Sequence, residues 1–355
     1  MAGIEIVDVP IPASAGAPGW ELFAAAEAVS SAIEVAAYGS EESAFDAAEN
    51  LPHWLDVRQD KHLFVARDGD RVVGRLAGWA EKETPDTASV YVQVLPEDRG
   101  RGIGGLLHAR LLALAAEVGW RKLITYAVSP DGPGERLIPP TGFGSVPRDN
   151  REVRFLLDRG WRLEQVERAS RFALPGDPGI LARLHAEIAD ATAGYRLHTW
   201  TDLTPEPFRE GMAVLYERMT TDAPSAGLEE PPETWDAARV VEHDMRLAES
   251  PATMLTTAVE HIASGRIAGM TRLHVPDDVT RPAGQWDTIV RREDRGHRLG
   301  MLLKLANLAA LEERMPGHPS VITWNAEENR PMLDVNEAIG FTVRGYEGAW
   351  RKDLA

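Results

Sequence analysis

Leu95-Pro96-Glu97-Asp98-Arg99-Gly100-Arg101-Gly102-Ile103-Gly104 and Arg291-Arg292-Glu293-Asp294-Arg295-Gly296-His297-Arg298-Leu299-Gly300 share an identical Glu-Asp-Arg-Gly core, and their final glycines align. Each segment follows a β-rich run, Ser89 to Val94 in one case and Trp286 to Val290 in the other. Each precedes an Ala/Leu-rich stretch with the look of a helix, Gly105 to Val118 and Met301 to Glu313. Similarity in register within one chain is the mark of a repeated structural unit.

The match extends outward in both directions. Upstream, Arg71-Val72-Val73-Gly74 resembles Arg266-Ile267-Ala268-Gly269, each leaving a turn (Asp68-Gly69-Asp70, Ser264-Gly265) as the second strand of a hairpin. Downstream, Leu123-Ile124-Thr125-Tyr126 pairs with Val321-Ile322-Thr323-Trp324, and Arg159-Gly160-Trp161 with Ile339-Gly340-Phe341. Between these last features the first copy carries Ser129-Pro130-Asp131-Gly132-Pro133-Gly134 and Pro139-Pro140-Thr141-Gly142, which read as loop. Each half therefore predicts strand, one or two helices, three strands, helix, strand, helix, strand. That order is α+β with a mixed central sheet. The expected division is a first domain over 1–175, a linker with a helix over 176–194, and a second domain over 195–355.

The loop itself has readable chemistry. A strand ends, glycines turn the chain, and a helix begins whose first N–H groups lack intrahelical partners and carry the positive end of the dipole. Glycines let that backbone approach an anion, so the junction reads as a pyrophosphate cradle. Neither copy has the Gly-Lys-Ser/Thr of a P-loop. A dinucleotide fingerprint needs Gly-x-Gly-x-x-Gly after the first strand of a βαβ unit, whereas the spacing here is Arg-x-x-Gly-x-Gly after several antiparallel strands. In this setting the loop resembles the acyl-CoA signature of the GNAT superfamily of acetyltransferases, Gln/Arg-x-x-Gly-x-Gly/Ala. Arg99, Gly102 and Gly104 match it in full; Arg295 and Gly300 match in the second copy, where Arg298 replaces the middle glycine. Asn329-Arg330-Pro331-Met332 through Gly340-Phe341 resembles the family's late Asn-containing helix and the strand start after it. The resemblance covers nearly the whole chain twice, as in tandem actinobacterial acetyltransferases.

The resemblance implies two GNAT-like domains, each with a splayed mixed sheet flanked by helices. It implies acetyl-CoA as co-substrate and direct attack of an acceptor amine on the thioester. The pantetheine arm would lie on Val92, Gln93 and Val94 in one copy and on Thr288, Ile289 and Val290 in the other. The pyrophosphate would lie on Arg99, Gly100, Arg101, Gly102, Ile103, Gly104 and Gly105, or on Arg295, Gly296, His297, Arg298, Leu299 and Gly300. Asn325 and Asn329 are expected as amide ligands, with helix capping the other reading of Asn329. Many family members carry a tyrosine acid four residues before the Gly-Phe step, where this chain has Leu156 and Asn336. Asn336, Tyr346 and Asp287 are the catalytic candidates, each with a structural reading beside it, since aromatics pack and strand aspartates cap turns. Asn325, Asn329 and Asn336, expected around the place where substrate and thioester would meet, point to the second copy for chemistry, with both copies holding CoA. The rival class is an acyl-CoA-binding or scaffolding protein in which one or both halves keep the fold without turnover.

Bulk properties bound the rest. The 355 residues exceed one ordinary core and suit two. With no cysteine, disulfides and thiol nucleophiles are excluded. The histidines are too scattered to suggest a metal site. A net charge of −17 offers no basic surface for nucleic acid and would steer a cationic small acceptor, or serve solubility alone. Met1 to Pro10 has no signal-peptide pattern, and no apolar run reaches the roughly 18 residues of a membrane span, so the cytoplasm is the expected location.

Overall fold

The computed structural model describes residues 3–222, 224–229 and 231–354. The chain runs β1 (Ile4–Asp8), α1 (Trp20–Tyr38), α2 (Ala47–Trp54), β2 (Gln59–Asp68), β3 (Arg71–Glu81), β4 (Thr87–Val94), α3 (Ile103–Val118), β5 (Lys122–Val128), a short hairpin β6 (Arg136–Leu137) and β7 (Val146–Pro147), α4 (Arg151–Leu157) and β8 (Arg162–Ala173). It continues with α5 (Pro178–Thr192), β9 (Tyr195–Thr201), α6 (Arg209–Asp222), α7 (Ala237–Leu247), β10 (Ala252–His261), β11 (Arg266–Pro276), β12 (Ala283–Val290), α8 (Leu299–Arg314), β13 (Ser320–Ala326), α9 (Arg330–Ile339) and β14 (Thr342–Asp353). Among the described residues no helix is long and apolar enough to cross a membrane.

These elements form two compact units, and the units are interleaved rather than consecutive. One comprises Met1–Glu167, Ser225–Pro231 and Gly345–Ala355; the other comprises Arg168–Pro224 and Pro232–Arg344. The chain passes between units inside β8 and returns inside β14, so a split at 175 and 195 differs from the packing.

In the first unit, β1 to β4 pair as an antiparallel meander. β4 then pairs parallel with β5 through Thr87↔Lys122, Ala88↔Leu123 and Ser89↔Ile124, and this pairing ends there. The other edge of β5 is taken antiparallel by the C-terminal strand, from Glu347↔Val128 to Asp353↔Lys122. That strand delivers Trp350, 1% exposed, into the first core beside Trp161, Leu163 and Val166. α3 buries Ile103, Leu107, Leu111 and Leu114, an i, i+4, i+8, i+11 stripe that faces the sheet. α1 and α2 cover the opposite face through Phe23, Ala26, Leu51 and Trp54.

The second unit repeats this plan. β9 to β12 pair antiparallel, and β12 meets β13 in parallel only at Ala283↔Val321 and Gly284↔Ile322. The repeat holds at the level of single atoms. A Cβ on Gly74 would sit 2.7 Å from the Gln93 carbonyl oxygen and 3.2 Å from Leu107; a Cβ on Gly269 would sit 2.7 Å from that of Ile289 and 3.2 Å from Leu303. Both positions are strand glycines because a neighbouring backbone approaches there.

Candidate acyl-CoA site

The first loop is built by glycine geometry and arginine anchoring. Gly100 and Gly102 both have φ of 85°, a region an L side chain enters at a cost. Gly102 is the N-cap of α3 and offers no side chain to satisfy the helix's first N–H groups, which leaves them for an outside acceptor. A Cβ at Gly102 would project into open space rather than into protein. Asp98, 2% exposed, ties the loop to the hairpin: it accepts from Arg71 at 2.7 Å and from Arg101, and Arg71 first among these partners holds its carboxyl below the usual range. Arg99 donates its Nε–H to the Val94 carbonyl at 3.1 Å, which fixes the turn from strand to loop.

The second loop copies this construction. Arg295 Nε donates to the Val290 carbonyl at 3.2 Å, Asp294 accepts from Arg266 at 2.8 Å, and Gly296 has φ of 87°. Arg298 occupies the Gly102 position and keeps the left-handed backbone, with φ of 55°. Its half-exposed side chain reaches toward Glu187 on α5, 3.9 Å away.

Between Val90–Val94 and Thr125–Val128 of the first unit the strands have parted. A cavity of about 690 Å³ opens there, within the usual range for small-ligand sites. Val92, Gln93, Val94, Arg99, Gly100, Gly102, Ile103, Gly104 and Gly105 all line it. Arg101 does not line it: its guanidinium is drawn off by Asp68 at 2.6 Å and by Asp98. Four arginines reach the cavity, Arg99, Arg151, Arg154 and Arg159, beside carboxylates of which Glu152 accepts from Ser129 at 2.7 Å and Asp98 is already paired. Arg159 lies 3.7 Å above the Phe155 ring. The glycine cradle, the free helix N-terminus and these cations fit a pyrophosphate followed by an extended arm between the strands.

The second unit distributes its expected residues differently. Thr288 exchanges a hydrogen bond with Thr271 at 2.8 Å, Ile289 is buried among α6 and α7 side chains, and Leu299 is core. The His297 ring nitrogen meets the Asp294 carbonyl at 3.2 Å, and no Cβ neighbour lies within 4 Å of Gly300. Asn329 is the N-cap of α9, but its side chain makes no capping bond. Asn325 accepts from the Asn336 amide at 2.8 Å. Asn336 is 1% exposed, and its Oδ1 is buried without a partner among the described residues. Asp287 is held by Arg272, which donates Nε–H to it at 2.9 Å and also bonds the Tyr216 hydroxyl at 2.7 Å. Tyr346 belongs to the first unit, packs against its core, and accepts the Ser129 N–H through its carbonyl. The three catalytic candidates thus fall in two units, and two of them are committed to protein partners.

Several cavity residues escaped the sequence reading: Glu34 on α1, Tyr91 on β4, His108 on α3, and Arg151, Phe155 and Arg159 on or beside α4. The Tyr91 phenol is pushed up by burial first and then by Glu347, Glu34 and Glu167. His108 stands one helical turn beyond Gly104, a spacing that places it on the loop's side of the helix. That spacing was the available signal.

Comparison with known proteins agrees with this geometry. Residues 28–136 match the model of the Acetyltransferase (GNAT) family. The chain is 27% identical over 281 residues to a mycothiol acetyltransferase of Thermobispora bispora, covering 78% of each protein. Over 70 residues it is 43% identical to an L-2,4-diaminobutyric acid acetyltransferase of Nocardia farcinica, 19% of this chain and 36% of that one. Among solved structures it resembles a tandem GNAT protein from the clavulanic acid biosynthesis pathway, with a TM-score of 0.73, 25% identity, and coverage of 99% and 98% of the two chains.

Proposed function

We propose that this chain is a tandem acetyltransferase of the GNAT type that uses acetyl-CoA, and that its first unit carries the transfer, to the amine of a small cationic acceptor. The observation that carries this reading is the cavity, which joins the complete Arg-x-x-Gly-x-Gly loop to the parted strands within one unit. Acetyl-CoA supplies an acetyl group already activated as a thioester. Gly100 to Gly105 would hold its pyrophosphate with backbone N–H groups, and Val92 to Val94 would hold its arm along the unpaired edge of β4. Arg151 and Arg154 add charge at the anionic end.

The acceptor side lies under α1. Glu34 lines the cavity there, Glu347 accepts from the Tyr38 hydroxyl, and Tyr91 stacks on Trp79 at 5.5 Å. Carboxylates around a buried phenol favour a cation over an anion. The net charge of −17 adds long-range attraction of the same sign. One relative takes its name from a diamino acid, which also accords with a charged acceptor.

The second unit is proposed to support the fold rather than the chemistry. Asn336 donates its amide N–H to Asn325, Asp287 is paired with Arg272, and Arg298 fills the glycine position. Thiol release from acetyl-CoA, measured against a panel of mono- and diamines, tests the assignment. Gly102→Ala should lower turnover at limiting acetyl-CoA about tenfold or more, while Asn325→Ala with Asn336→Ala should leave most of it. The reverse pattern would move the reaction to the second unit.

A further inference from the structure

The tyrosine position near the thioester is filled by Leu156, so the departing sulfur needs another donor or none. The cavity wall offers one. His108 is 7% exposed and lines the cavity with Leu111, Thr125, Leu156 and Trp161. Trp161 donates its indole N–H to His108 Nε2 at 3.4 Å. That bond makes Nε2 the acceptor and places the imidazole proton on Nδ1. Nδ1 has no protein partner among the described residues. Phe155 packs against the ring edge-on at 6.1 Å. Burial first, then Arg159 and Lys352, lower the imidazole to about 4, so the ring is neutral through the physiological range and its tautomer is fixed by Trp161.

Along α3, His108 is five residues past Ile103, about 7.5 Å from the helix start that would hold the pyrophosphate. Along β4, Val94 to Val90 descends about 13 Å from the loop to the point where β4 and β5 come apart. His108 stands beside the middle of this span, on the same cavity wall as Leu156, the residue at the family's acid position.

We infer that His108 is a catalytic residue of the first unit, whose Nδ1–H donates a hydrogen bond to the sulfur of CoA as the thiolate departs. The inference rests on the reading of this cavity as the acyl-CoA site. In the transfer the acceptor nitrogen forms a bond to the acetyl carbon and the carbon–sulfur bond breaks. Its electron pair leaves on sulfur, and the amine proton passes to solvent. His108 gains and loses no proton; it lowers the energy of the charge that develops on sulfur.

The test compares two substitutions and two ligands. His108→Asn keeps an N–H donor near the place of Nδ1, whereas His108→Leu removes it; both lose the Trp161 contact. Calorimetric affinities for CoA and for desulfo-CoA are measured at a pH where the bound thiol is ionised. Wild type and His108→Asn should prefer CoA by roughly 10–100-fold, the range of a hydrogen bond to a charged group, and His108→Leu should lose that preference. His108→Leu should also lower kcat by a similar factor with little change in acceptor KM. An unchanged preference in His108→Leu overturns the inference. So does an equal loss of affinity for both ligands, which would mean that the ring only shapes the wall. If wild type binds neither ligand, or binds both unaffected by Gly102→Ala, the assignment of the cavity itself fails.

Discussion

Gly102 and Arg298 occupy equivalent helix starts with left-handed backbones, φ of 85° and 55°, yet one has no Cβ and the other has a full side chain. The left-handed region costs a side-chain-bearing residue roughly 1–2 kcal/mol. Gly102→Ala should therefore lose about 1 kcal/mol in denaturant titration and, because its Cβ enters the space proposed for phosphate, bind CoA at least tenfold more weakly by calorimetry. Arg298→Gly should go the other way and gain roughly 0.5–1 kcal/mol, the relief of strain less the added freedom of the unfolded chain. Lys304 shows a different kind of strain. It is 1% exposed, lies 5.5 Å from the Phe341 ring centre, and burial alone lowers its amine from near 10.5 to about 7. Between those values the unfolded chain binds more protons than the folded one, so stability from this group rises with pH across about 7 to 10.5, and its cost is complete below pH 7. Lys304→Met should be the more stable protein, by on the order of 1–4 kcal/mol at pH 6, with the gap closing by pH 10. A gap that widens with pH would show that the amine is charged when folded.

At the scale of elements, the splay of β4 from β5 makes the cavity, and the strand glycines hold β3 close enough to β4 to set it up. Gly74→Ala and Gly269→Ala would each drive a methyl to within 2.7 Å of a backbone carbonyl, which cannot rotate away as a side chain can. Each should cost roughly 1–3 kcal/mol of its own unit, the range of overpacked substitutions. Gly74→Ala should also weaken CoA binding, because Val94 and the loop sit directly beyond it; Gly269→Ala should leave binding within about twofold of wild type. Separate unfolding transitions followed by intrinsic fluorescence, with calorimetry for CoA, check both parts. Ser129, Asn150 and Glu152 form the corresponding brace after β5, with bonds of 2.7 and 2.9 Å that hold the Pro/Gly-rich excursion at the cavity's edge.

For the whole molecule, the consequence of interleaving is that neither half of the sequence is a complete unit. The first unit borrows Gly345–Ala355, including Trp350 in its core, and Ser225–Pro231, whose Leu228 packs on Ile124 and Ala349. Glu229 adds bonds to Lys122 at 3.2 Å and Arg351 at 2.7 Å. A fragment of residues 1–175 should therefore be poorly folded and fail to bind CoA, although it contains the whole first loop. Within the intact chain, Trp350→Ala should cost about 3–5 kcal/mol and abolish CoA binding to the first unit at the same denaturant concentration at which that unit unfolds. Full CoA affinity in the 1–175 fragment would contradict this account.

The sequence by itself determined whatever depends on neighbours along the chain. The repeat, the element order, the strand–loop–helix junction and its anion-binding character are local, because φ above zero, helix starts and strand alternation are set within a few residues. The family resemblance followed from these and led to acetyl-CoA. Tertiary structure decided what depends on residues far apart. It gave the partner of β5 to the C-terminal strand, since several apolar strands could satisfy the same open edge and long-range packing, Trp350 in the first core among it, goes with this one. It bound Asp287 to Arg272 and buried Asn336 against Asn325, partners that the sequence reading of these two candidates did not include. It brought the Trp161 indole to His108, across 53 positions, a residue that the loop motif does not include. Motifs record backbone geometry, whereas the orientation and freedom of a side chain are fixed by partners that sequence distance does not reveal.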